Sequence, residues 1–75
     1  MKPQKIKWTT EKPVLKEEGI LLTSTHIRGQ WDYECYEISL IEFDGQCYYG
    51  ICDLFGDEWG DYEDFTAERY CFLKP

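Results

Sequence analysis

Tyr33-Glu34-Cys35-Tyr36-Glu37-Ile38-Ser39-Leu40-Ile41-Glu42-Phe43-Asp44-Gly45-Gln46-Cys47-Tyr48-Tyr49-Gly50-Ile51-Cys52-Asp53-Leu54 decides how this chain folds. Two runs rich in β-branched and aromatic residues flank Asp44-Gly45. That dipeptide suits a two-residue type I′ turn, which needs positive φ at both central positions. The turn fixes the register: Phe43 faces Gln46, Leu40 faces Tyr49 and Ile38 faces Ile51. One face of the hairpin then carries Tyr36, Ile38, Leu40, Tyr49 and Ile51, a continuous apolar surface expected to be the core. The other carries Cys35, Ile41, Phe43, Tyr48 and Cys52. Both faces are therefore expected to be covered, one by the N-terminal segment and one by the chain downstream of the hairpin. A slip of one residue would exchange them.

Working outward, Ile20–Ile27 reads as a central strand and Arg28-Gly29-Gln30 as a second turn. Upstream, Ile6–Thr9 is short and β-prone, and Lys12-Pro13 breaks it because the residue before proline is pushed out of the helical region. Lys16–Gly19 reads as a turn, with Gly19 supplying a positive φ. Downstream, Gly56–Phe65 holds two glycines and dense charge and is expected to be a loop, with one helical turn around Asp61. Thr66–Leu73 alternates well enough for a last strand. The expected fold is therefore mainly β, one domain over residues 1–75: a small antiparallel sheet of four to five strands, mainly a meander around the central hairpin. An acidic loop or short helical turn precedes the last strand.

Seventy-five residues allow one core, because a chain of this length buries only roughly 60% of the surface it exposes when unfolded. Thirteen of the residues are aromatic, three Trp, six Tyr and four Phe, and these supply much of what there is to bury. The net charge of −7 argues against direct nucleic-acid binding, which rests on neutralising phosphates with Lys and Arg. No apolar run approaches the roughly 20 residues that span a bilayer, and Met1–Lys5 leads into no apolar signal segment. These features fit a cytoplasmic protein. The charge is also uneven. Through Gln30 six bases stand against three acids, whereas from Trp31 onward twelve acids stand against Arg69 and Lys74.

Cys35, Cys47, Cys52 and Cys71 raise the question of zinc. Structural zinc takes four thiolates or imidazoles, two of them usually from one C-x₂₋₄-C knuckle. Cys47 and Cys52 have four residues between them on an expected strand, where they point to opposite faces. Cys35 and Cys52 share a face as diagonal neighbours, and Cys71 could join them with His26 or Cys47 as the fourth ligand. The alternative is four packed thiols. Calcium is excluded more firmly: an EF-hand begun at Asp53 would put Phe55 third, Glu58 sixth and Asp64 twelfth. No phosphate-binding glycine loop and no G-x-S-x-G is present, and the chain is not expected to be an enzyme.

Two kinds of function remain. One is an acidic protein-binding module that inhibits a nucleic-acid-handling machine stoichiometrically. Asp57, Glu58, Asp61, Glu63 and Asp64 would meet the machine's basic surface, and Trp59 and Tyr62 would add aromatic contacts. The other is a structural or assembly protein that pairs through exposed aromatics and a sheet edge. Trp8-Thr9 with Glu11-Lys12-Pro13, Glu18-Gly19-Ile20-Leu21-Leu22, Phe43-Asp44-Gly45 and Tyr70-Cys71-Phe72-Leu73-Lys74-Pro75 resembles the pattern of small β-rich phage and prophage proteins. The ending of those proteins is commonly T-H-W-x-P-L-P, where Tyr70, Phe72 and a single proline stand here. In size, acidity and phage-like character the chain is similar to anti-CRISPR proteins. That resemblance implies a Cas effector as partner, inside a bacterial host cell.

Overall fold

The computed structural model describes residues 6–53 and 59–74, with the backbone alone at Trp59. Five strands form one antiparallel sheet: β1 (Gly19–Ile27), β2 (Gln30–Phe43), β3 (Gln46–Asp53), β4 (Trp59–Asp61) and β5 (Arg69–Leu73). A 3-10 turn at Tyr62–Asp64 lies between β4 and β5. Among the described residues no helix is long and apolar enough to cross a membrane.

The hairpin turn is of the expected kind, while the second turn is one residue shorter than expected because Gln30 already pairs in β2. Asp44 and Gly45 have φ of 53° and 77°, and Phe43 pairs with Gln46. Arg28 and Gly29 have φ of 50° and 81°, so a two-residue turn joins Ile27 to Gln30. The hairpin register is the one read from the sequence, with Ile38 opposite Ile51 and Leu40 opposite Tyr49.

The strand order is β4-β3-β2-β1-β5. Four strands run as a meander. The fifth returns across the sheet and pairs with β1, placing Cys71 opposite Leu22 and Tyr70 opposite Thr23. Beyond β5, Thr9 and Tyr70 exchange two backbone hydrogen bonds at 2.9 and 2.8 Å. The N-terminal segment thus passes the β5 edge and contributes to both faces.

The core sits on one face, where Leu21, Ile38, Ile51 and Tyr70 pack with Tyr62. Leu15 covers it from the N-terminal segment, and Phe65 and Ala67 cover it from the crossing before β5. Phe65 meets Tyr36 edge-on at 5.0 Å between ring centres. The Ala67 N–H donates to the Tyr70 hydroxyl at 2.7 Å.

Four local expectations need correction. Leu40 is 53% exposed rather than core, because β1 begins opposite Ile38 and leaves the last turn of the hairpin uncovered. Residues 59–61 form β4 where a loop was expected, pairing antiparallel with Gly50, Ile51 and Cys52 of β3. The last strand starts at Arg69, and residues 65–67 cross the core face instead of joining the sheet. Finally, Gly19 has no positive φ; it opens β1 at a point of close approach.

Candidate functional site

Of the residues expected to meet a partner, Asp57 and Glu58 lie outside the described residues, and Trp59 is placed by its backbone alone, paired with Cys52. Asp61, Glu63 and Asp64 are exposed around the 3-10 turn. Asp61 caps that turn, its Oδ1 accepting from the Glu63 N–H at 2.9 Å. Among the described residues, no Lys or Arg side chain pairs with the Glu63 or Asp64 carboxylate; the ion pair found is Lys74 with Glu17, at 3.6 Å.

Tyr62 is a correction. It is only 4% exposed and belongs to the core, so its ring offers no contact surface to a partner. Its hydroxyl donates to the Pro13 carbonyl at 2.7 Å, and the Lys12 ammonium lies 4.4 Å above its ring. Lys12 also donates to the carbonyl oxygens of Tyr62 and Glu63, the latter at 3.0 Å. The lysine nearest the acidic turn is therefore committed to backbone and ring.

A second acidic group was not singled out from the sequence. Asp32 and Glu34 precede Tyr36 at alternate positions of β2, and Asp53 stands opposite Tyr36 on β3. Tyr36 registers their field. Its hydroxyl ionises above the usual tyrosine range, raised first by burial and then by Glu34, Asp53 and Asp32. The period of two in β2 carried this signal, since acids at 32 and 34 continue the core face past the core's end.

The cysteines do not come together. Cys35 and Cys71 each face Leu22 from opposite sides, so one strand separates them. That spacing is roughly 10 Å, whereas thiolates sharing a zinc at about 2.3 Å lie about 4 Å apart. Cys52 pairs with Glu37, and Cys47 pairs with Glu42 on the opposite, core-side face. His26 lies four residues along β1 from Leu22, beside Trp31. Among the described residues no group of three or more His, Cys, Asp or Glu side chains is placed to hold a metal, and no disulfide joins the four cysteines.

The face opposite the core carries an arrangement that sequence reasoning missed. Arg69 places its guanidinium carbon 3.7 Å from the Trp31 ring centre and 5.0 Å from that of Trp8. It also donates to Ser24 Oγ at 3.0 Å, and its buried Nε has no hydrogen-bond partner among the described residues. Trp8 leans on Tyr33 at 6.0 Å and His26 on Trp31 at 5.1 Å. The two-residue turn at Arg28-Gly29 sets His26 opposite Trp31, and β5 brings Arg69 opposite Ser24. This stack fastens the N-terminal segment to the sheet. Arg69→Lys keeps the charge but loses the planar overlap, and should cost about 1–2 kcal/mol. A thermal melt followed by circular dichroism should show Tm lower by roughly 5–15 °C; an unchanged Tm would mean the stack contributes nothing.

No family model matches the chain, and neither a curated protein nor a solved structure was found to match it.

Proposed function

We propose that this chain is an acidic protein-binding module that occupies the basic surface of a nucleic-acid-binding machine and so inhibits it stoichiometrically. The sequence resemblance makes a CRISPR-Cas effector the particular candidate, and a bacterial cytoplasm the setting. What carries the reading is the set of outward carboxylates that the protein's own cations leave available. Glu63 and Asp64 stand exposed on the 3-10 turn while Lys12 is held on backbone carbonyls. Asp32 and Glu34 form a second exposed acidic pair on β2, and their charge adds to burial in raising the ionisation of Tyr36.

Arginine-lined channels that steer polyanions would attract such a surface at long range and meet it with bidentate hydrogen bonds. The carboxylates stand in two groups instead of one loop, so the partner surface must be broad or concave. The function is binding, with no chemistry required of any residue.

The test is a variant carrying Asp61→Asn, Glu63→Gln and Asp64→Asn with Asp32→Asn, Glu34→Gln and Asp53→Asn. Partner captured from a CRISPR-bearing bacterial lysate is purified, and its affinity for wild type and variant is titrated at low and at high salt. The wild-type affinity should fall steeply as salt rises, and the variant should bind at least about a hundredfold more weakly, given charge-pair losses of 2–5 kcal/mol. Equal affinity of the two proteins would overturn the proposal.

A further inference from the structure

β2 is longer than its neighbour, and the excess leaves an open edge. Its 14 residues pair with the nine of β1 only as far as Ile38, which stands opposite Gly19. From Ser39 to Phe43 the strand has β3 on one side and no strand of the described chain on the other. The direction of the uncovered groups is known, because the Leu40 N–H donates to Glu18 Oε2 at 2.9 Å on the side that β1 would occupy. Backbone groups repeat their direction every second residue, so the N–H and C=O of Glu42 point the same way. Rows of this kind are templates for another strand, and natural proteins blunt them with short lengths and charges. Here a single carboxylate stands in for the missing strand at one of the positions.

The surroundings state what would fit. A notch of ≈370 Å³ lies where β1 begins, lined by Glu18, Gly19, Ile20, Glu37, Ile38 and Ser39. Glu18, Glu37, Glu42 and Asp44 are all exposed around this edge, while Lys74 is engaged by Glu17. Leu40 and Phe43, at 53% and 73% exposure, present apolar side chains on opposite faces of the same four residues. An extended segment laid here finds main-chain donors and acceptors, carboxylates for alternate side chains and apolar ground for the rest.

We propose that Leu40–Phe43 is a docking edge for an extended, lysine- or arginine-bearing segment of a partner protein, which adds as a strand in the line that β1 leaves open. The Glu18 carboxylate leaves the Leu40 N–H and pairs with an incoming cation. The freed N–H and the backbone groups of Glu42 then bond the segment. A second copy of this chain is the poorer occupant, because each copy would bring its own carboxylates to the same seam. This deepens the proposed function with a backbone-directed contact, and it rests on that reading for the sign of the partner's charge.

The probe is a blocked peptide of alternating Lys and Val, seven residues long, titrated into the full chain and followed by amide NMR shifts and hydrogen exchange. The Leu40 and Glu42 amides should shift and become protected, and a Glu/Val peptide of equal length should leave them unmoved. Glu42→Pro removes one outward N–H at an edge position where proline is tolerated. It should weaken Lys/Val binding about tenfold relative to Glu42→Gln, the value of one backbone hydrogen bond near the top of its range. Neutralising residues 32, 34, 53, 61, 63 and 64 should leave peptide protection at Leu40 and Glu42 in place, which separates this edge from the surface of the proposed function. Shifts confined to those other acidic residues would overturn the proposal. So would protection by the Glu/Val peptide, or protection that rises with protein concentration in the absence of peptide.

Discussion

Gly19→Ala is expected to unfold much of the protein at temperatures where the wild type is intact. A Cβ at this position would come within 2.4 Å of the Leu73 carbonyl oxygen and 2.7 Å of Phe72 Cζ. The ring end could swing aside, but the carbonyl belongs to β5, which is paired to β1 at Ile20 opposite Leu73. Relief requires the last pair of that ladder to separate. Overpacking a filled site costs about 1–3 kcal/mol, and a contact with fixed backbone belongs at the upper end. For a domain of this size that lowers Tm by roughly 12–24 °C. Gly60→Ala is the control, since its Cβ would meet only Ile51 atoms at 3.8 and 3.9 Å and should change Tm little. Equal melts for the Gly19 and Gly60 variants would show that β5 moves freely against the start of β1.

Tyr62 carries the second large effect. Tyr62→Ala removes a core ring under Lys12 and Pro13, and should cost about 3–5 kcal/mol. Tyr62→Phe keeps the ring and deletes only the hydrogen bond to the Pro13 carbonyl, for about 1 kcal/mol at neutral pH. The two tyrosine variants also differ from wild type in alkali. Burial foremost, then Tyr70 and Glu63, push the Tyr62 hydroxyl up to about 12, against about 10 in an unfolded chain. The native state therefore holds this proton where the unfolded state has released it. The stabilisation is complete below about pH 10 and is lost as pH rises through about 12. Urea titrations between these limits should show the advantage of wild type over Tyr62→Phe shrinking with pH. A constant difference across that window would mean Tyr62 ionises as freely in the native state as in the unfolded chain.

Tyr62 also marks where sequence reading stops. The hairpin around Asp44-Gly45 was legible because turn chemistry and a period of two agree on one register, and both are local. The core residues Ile38, Tyr36, Tyr49 and Ile51 followed from that register alone. Leu40 did not, because its exposure depends on where β1 stops, a fact of pairing between distant segments. The acidic loop showed its composition but not its geometry: nothing in Trp59-Gly60-Asp61-Tyr62 states that the first three pair beside β3 while the ring of the fourth turns inward. The zinc arrangement failed on the same ground, since Cys35 and Cys71 are kept apart by Leu22 on a strand placed between theirs. The Arg69 stack needs three segments, 8, 31 and 69, to meet. No spacing along the chain encodes that.

The return of β5 to β1 also bears on how the molecule assembles. β1 with β2, and β2 with β3, can each zip outward from a two-residue turn, closing loops of a few residues at little entropic cost. The β1–β5 seam joins Ser24 to Arg69 and must close some forty residues at once. Nucleation therefore belongs to the three hairpin strands, with the C-terminal strand arriving last and the Trp8–Arg69 stack locking it behind. In refolding followed by pulsed hydrogen exchange, the amides of β5 should therefore be the last of the sheet to gain protection.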